Sequence, residues 1–194
     1  MSLSQLDLGV IRKAQRGDER AFAMIVHAYE TPLFNYVMRM VGDRSLAEDL
    51  TQDVFLCVHQ GLAGFSRRSL FTTWLFRVAK NRVIDELRAG ERRPHSVISI
   101  EDAPRLEVLD APIERLEAID LLWRAVEDLS PDLKEALLLR DIVGLSYNEI
   151  SDSLGVTLAT VKWRIFKARE EVQQALELEG VEPYAHAEAV ATSA

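Results

Sequence analysis

The chain has 194 residues, 48% of them hydrophobic and 28% charged, with a formal net charge of −8. That balance suits one large or two small soluble domains and is too apolar for wholesale disorder. Apolar runs such as Leu137-Leu138-Leu139 fall far short of the roughly 20 residues a membrane span needs, and the single cysteine, Cys57, excludes a disulfide framework or a multi-thiolate metal site. No basic stretch followed by an apolar core opens the chain, so a cytoplasmic location without membrane insertion is expected.

Helical periodicity starts early. Ala21-Phe22, Ile25-Val26, Tyr29, Leu33-Phe34, Val37 and Met40-Val41 recur at three-to-four spacing, and Pro32 is placed near a helix start. Gly42-Asp43 is a break. Ser45 offers an N-cap with Glu48 three residues on, the reciprocal capping-box pattern. Leu46, Leu50, Val54 and Val58 form the apolar stripe of that helix, while Asp49, Gln52, Asp53 and Leu56 project elsewhere. Gly61 and Gly64 end it. Thr72 or Thr73 can cap a long helix reaching about Ala89.

Pro94, Pro104 and Pro112 then fall among acidic residues and serines, which reads as a linker over 94–112. A helix is expected near 113–128, and Ser130-Pro131 marks a new start with proline at the first helical position. Ser146 caps Tyr147–Leu154, Gly155 supplies a turn, and Thr157 starts a last helix to about Leu176. Two short helices joined by a tight glycine turn make a helix-turn-helix, with Ile150, Leu154, Val156 and Val161 as its small core. The expected fold is all-α, with a helical bundle at 1–93, the linker, a helix-turn-helix domain at 113–176 and a disordered tail at 177–194. With such a linker, compact and extended arrangements of the two domains are both open.

The net charge conceals a block pattern. Residues 66–93 carry net +5 and 156–176 net +2, whereas 94–120 carry −5 and 121–155 carry −4. Two basic islands among acidic segments suit a protein that touches a polyanion at two places, although charge runs are more often solvated faces. The second island is a helix presenting Lys162, Arg164, Lys167 and Arg169 behind Thr157 and Thr160. A helix entering the major groove reads bases with its N-terminal side chains while flanking cations hold phosphates. In the first island Arg67, Arg68, Arg77, Lys80, Arg82 and Arg88 interleave with Phe65, Phe71, Trp74 and Phe76. Cations beside aromatics suit unstacked single-stranded bases, although an aromatic stripe at helical spacing is more often core. Trp74 and Phe76 cannot face the same way, so at least one is expected to be buried.

Three blocks in this order carry a family resemblance. They are Ala47-Glu48-Asp49-Leu50-Thr51-Gln52-Asp53-Val54-Phe55; then Phe71-Thr72-Thr73-Trp74-Leu75-Phe76-Arg77-Val78-Ala79-Lys80-Asn81 with Asp85 and Arg88; and then Gly144-Leu145-Ser146-Tyr147-Asn148-Glu149-Ile150 followed by Thr160–Arg169. On these the chain resembles the bacterial RNA polymerase sigma factors of the extracytoplasmic-function group, over about residues 15–176.

The resemblance implies a set of roles. Asp49, Gln52 and Asp53 become contacts for a coiled coil in the polymerase β′ clamp, with Phe55 either a contact or core. The β flap is the other polymerase partner. The loop around Gly61–Leu70, with Phe65, Arg67 and Arg68, and the following helix, with Trp74 and Asn81, would take an unstacked −10 base. Arg77, Lys80 and Arg88 would hold phosphates. Thr157, Thr160, Lys162, Trp163, Arg164 and Lys167 are the −35 candidates. Trp163 departs from the family, which usually has a small residue there; it can contact a thymine methyl, lie on the sugar-phosphate, or turn inward. Lys167 stands where arginine is common and lacks the planar fork for bidentate guanine reading. An anti-sigma factor is the expected regulator, and no cofactor is implied.

Three other classes compete. An enzyme finds no support, because His27, His59, His95 and His186 are dispersed and no metal-ligand spacing, nucleophile–base pair or phosphate loop is evident. An operator-binding regulator explains 145–172 but leaves the aromatic-basic island and the Asp49–Asp53 face unused. A family member retained only for protein interaction stays open.

Overall fold

The computed structural model describes residues 6–66, 69–90 and 113–179. Among these the chain is helical: α1 (Leu8–Gln15), α2 (Glu19–Val41), α3 (Arg44–Gly61), α4 (Phe71–Gly90), α5 (Ile113–Glu127), α6 (Pro131–Leu137), α7 (Tyr147–Leu154) and α8 (Leu158–Leu178). The first four form one bundle, the last four a second.

In the first bundle, α2 buries Ile25, Tyr29, Leu33 and Val37, α3 buries Ala47, Leu50, Val54 and Val58, and α4 buries Leu75, Phe76, Ala79 and Val83. These are the three-to-four stripes expected from periodicity. Three local expectations give way to tertiary packing. Pro32 lies inside α2 instead of near its start, because the buried run from Tyr29 to Met40 outweighs the one backbone bond that proline removes. Asp43, not Ser45, caps α3, its carboxylate accepting from Leu46 N at 2.7 Å, and Glu48 pairs with Arg44 at 3.0 Å. Neither Thr72 nor Thr73 is a cap: α4 begins at Phe71 and both threonines are buried, Thr72 Oγ1 lying 2.9 Å from Tyr29 Oη.

In the second bundle, Ser130 and Pro131 open α6 as expected. Instead of a continuous helix to Gly144, α6 widens into a π turn over Leu138–Ile142. Gly144, at φ +81°, then reverses the chain, and Leu145 N–H donates back to Leu139 O at 3.0 Å. The core gathers Leu133, Ala136, Leu138, Leu139, Ile150, Val161, Ile165 and Ala168. Helix α8 ends at Leu178, two residues beyond the expected Leu176; the linker at 94–112 and residues 180–194 lie outside the described residues.

Candidate nucleic-acid and polymerase interfaces

The helix-turn-helix is built from local chemistry. Ser146 and Glu149 cap α7 reciprocally: Ser146 N–H donates to Glu149 Oε2 at 2.8 Å and Glu149 N–H to Ser146 Oγ at 3.3 Å. Gly155, at φ +69°, makes the turn in the left-handed region that other residues enter at a cost. Thr157 Oγ1 then accepts from Thr160 N at 3.2 Å and opens α8. Ile150, Leu154 and Val161 are buried as expected, and Val156 is half-buried.

Val161, Ile165, Ala168 and Val172 form the inner stripe of α8, so a different face meets solvent. On it, Trp163 is 60% exposed and Phe166 67% exposed, flanked by exposed Lys162 and Thr157. Trp163 therefore does not turn inward. Phe166 received no role from the sequence, although it lies three positions after Trp163, a spacing that places the two on one helix face.

Most cations of α8 are engaged within the chain. Arg164 pairs with Asp132, Lys167 lies 2.7 Å from Glu170 and 3.7 Å from Glu171, and Arg169 lies 2.7 Å from Asp141. Their partners raise the pKa values of Lys167 and Arg169, chiefly through the hydrogen bonds to Glu170 and Asp141. Among the described residues, Lys162 is the α8 cation without an ion pair. These pairs are surface contacts that each contribute at most about 1 kcal/mol, so a phosphate can displace them.

The basic island of the first bundle is organised differently from expectation. Phe65 is buried at 7% exposure and packs against Phe71 and Trp74, with ring centroids 5.7 and 5.1 Å away. Gln15 Nε2 fixes the turn beneath it by donating to Leu62 O at 3.1 Å and Phe65 O at 2.9 Å. Phe65 thus supports the loop and offers no open ring face. Phe76 is fully buried and Trp74 half-buried. Asn81 and Arg88 are exposed on α4. Arg77 and Lys80 point elsewhere, donating to the backbone carbonyls of Asp152 and, at 3.2 Å, Leu154 in the second bundle. Arg67 and Arg68 lie outside the described residues.

On α3, Asp49 and Gln52 are exposed and Asp53 pairs with Arg82, which raises the Arg82 pKa. Phe55 is buried at 9% exposure, which makes it core. Leu56, next to it, is 56% exposed and adds apolar surface beside the acidic face. No described helix is long and apolar enough to cross a membrane, and no three described His, Cys, Asp or Glu side chains converge.

Comparison with known proteins places these surfaces in a family. Residues 25–93 match the model for sigma-70 region 2, and residues 119–172 match that for sigma-70 region 4. The RNA polymerase sigma-H factor of Pseudomonas aeruginosa is 34% identical over 91% of this chain and 97% of its own. The ECF RNA polymerase sigma-E factor of Escherichia coli K12 is 32% identical over 89% of this chain and 95% of its own. The fold is also that of the sigma factor RpoE solved with the anti-sigma factor NepR from Bartonella quintana, at TM-score 0.67 and 22% identity over 80% of this chain and 96% of that one. CnrH, solved with the cytosolic domain of CnrY, gives TM-score 0.66 at 23% identity over 87% and 96%. With both bundles matched in order and close to full length, the chain belongs to the sigma-70 family as an extracytoplasmic-function sigma factor, a non-catalytic factor of transcription initiation.

Proposed function

We propose that this factor brings core RNA polymerase to promoters through a −35 contact by α8 and a −10 contact by α4 and the loop before it. The observation that carries the proposal is the capped helix-turn-helix whose outer face leaves Lys162, Trp163 and Thr157 open to a groove. Thr157 and Thr160 sit at the N-terminal end of α8, where a recognition helix meets base edges. Trp163 adds apolar surface for a thymine methyl or the sugar-phosphate. Arg164 and Lys167 serve as phosphate contacts once their surface pairs exchange.

The first bundle binds the β′ clamp through Asp49, Gln52 and Asp53, and the second meets the β flap. At −10, exposed Asn81 captures an unstacked non-template base by paired hydrogen bonds, with Trp74 beside the loop and Arg67, Arg68, Arg77, Lys80 and Arg88 along the backbone. Extrusion of a base costs a few kcal/mol, and stacking on the protein returns roughly 1–3 kcal/mol. An anti-sigma factor holds the protein inactive in the cytoplasm until a signal releases it. The likeness to two sigma factors solved with inhibitory partners supports that reading.

The test is transcription of fragmented genomic DNA of the source organism by core polymerase with and without the protein, with RNA 5′ ends mapped. New starts sharing two upstream elements are expected; none, with folded protein and active core, would refute promoter recognition. In the same assay Asn81→Ala should impair opening more than recruitment, and equal activity on unpaired and duplex −10 elements would remove Asn81 from base capture.

A further inference from the structure

The two bundles touch through a mostly polar interface. Arg77 Nη2 donates to Asp152 O and Lys80 Nζ to Leu154 O at 3.2 Å, both acceptors lying in the last turn of α7. The last carbonyls of a helix lack intrahelical partners and carry the negative end of its dipole, so they attract cations much as an anion does. Beside them, Tyr36 Oη donates to Glu135 Oε1 at 3.3 Å, with Tyr36 fully buried and Glu135 5% exposed. The Arg39 guanidinium lies 3.5 Å from the centroid of the Trp123 ring and 4.0 Å from Glu127. Cations of the first bundle thus face carboxylates and carbonyls of the second. The charge blocks agree, since 66–93 carries net +5 and 121–155 net −4.

We propose that this contact is an autoinhibitory latch, in which the C-terminal end of α7 occupies Arg77 and Lys80 in the place of DNA phosphates and closes the basic island until the bundles separate. The proposal rests on the reading of Arg77 and Lys80 as phosphate contacts. Three features make the contact separable. Its composition is that of an inter-domain interface and not of a continuous core. Ser153, between the two acceptors, is buried with no hydrogen-bond partner for Oγ, a group that separation would hydrate. The 22 residues between Gly90 and Ile113 allow separation, at about 3.3 Å per extended residue. A single contact then governs both DNA-binding surfaces, because α7 is also half of the helix-turn-helix.

The experiment uses the full chain and a mixed-sequence single-stranded oligonucleotide. Glu135→Lys sets a second cation against Lys80 and should open the interface; Trp123→Ala removes the Arg39 platform and serves if the first variant fails to fold. Small-angle scattering should show a larger radius of gyration than wild type. Oligonucleotide binding should tighten at least about five-fold, with a salt dependence steeper by about 1.4 in the log–log slope for two added phosphate contacts. Because Glu135→Lys itself adds positive charge, the same substitution in a chain carrying Arg77→Ala and Lys80→Ala should lose the gain. A wild-type chain already extended in solution, or two folded variants with unchanged dimensions, would overturn the latch. Opening with no gain in binding would instead overturn Arg77 and Lys80 as phosphate contacts, and the masking with them.

Discussion

Ile165→Ala tests whether the helix-turn-helix domain stands on a core of its own. Ile165 is 1% exposed on the inner stripe of α8, between Val161 and Ala168, and α5, α6 and α7 all pack against that helix. Surrounded on several sides, the site cannot collapse fully onto a smaller side chain. The expected cost is about 2–5 kcal/mol, the sum of lost transfer energy and the cavity left behind. A domain of this size has a total stability of only roughly 3–10 kcal/mol, at about 0.05–0.15 kcal/mol per residue. The substitution therefore removes much or all of it. The first bundle keeps the separate core formed by α2, α3 and α4. Hydrogen exchange resolved by peptide should show protection lost across α5–α8 and retained in α2–α4. Thermal unfolding should acquire an early transition, and recognition of −35 DNA should disappear while binding to core polymerase persists. A loss below about 1 kcal/mol, or one concerted transition in which α2–α4 lose protection together with α8, would refute the division into two folding units.

Trp163→Ser should leave stability within about 0.5 kcal/mol, as expected of an exposed position, yet change −35 preference by about 1–3 kcal/mol at one base pair; an unaltered promoter profile would remove it from readout. Asp49→Lys with Asp53→Lys should weaken binding to core polymerase at least ten-fold in a titration, while loss of the Asp53–Arg82 pair costs the fold at most about 1 kcal/mol; unchanged affinity would take both residues off the clamp surface. The closed arrangement should depend on pH through Glu135, whose pKa is raised chiefly by burial and is opposed by Lys80 of α4 and the Tyr36 hydroxyl of α2, with Asp132 of α6 raising it further and Arg164 of α8 lowering it. A carboxyl with a raised pKa in the closed state contributes most below its ordinary pKa, and that contribution fades as pH rises through the raised value. Scattering at several pH values should find the chain more compact under mildly acid conditions than at neutral pH, and the opposite trend would contradict the burial of Glu135 in solution.

The features legible in the sequence are those that a few neighbouring residues decide. Ser146 with Glu149, the Gly155 turn, the Thr157 cap and the Ser130-Pro131 start all depend on side chains within three or four positions of the backbone they serve. Each appears in the structure as expected. The apolar stripes of α2, α3 and α4 were readable because burial imposes the helical period on the chain. Where local signals compete, sequence reasoning lost: Ser45 and Asp43 are both competent caps, and Thr72 looked like a cap until Tyr29, 43 residues away, claimed its hydroxyl.

For the site, the sequence determined which residues carry charge and which helix carries them, and this was enough to recognise the family. It did not determine which of those charges are free. Arg82 is held by Asp53 at a separation of 29 residues, Arg164 by Asp132 at 32, and Arg77 by Asp152 at 75. Nothing in the local pattern marks such partners, because electrostatic pairing depends on distance in space and the chain brings these groups together only when both bundles have formed. Phe65 follows the same logic. Its aromatic character was visible beside the basic residues, but only the packing of Phe71 and Trp74 around it decided that its ring is buried and that the loop it supports, together with Asn81, is what remains open.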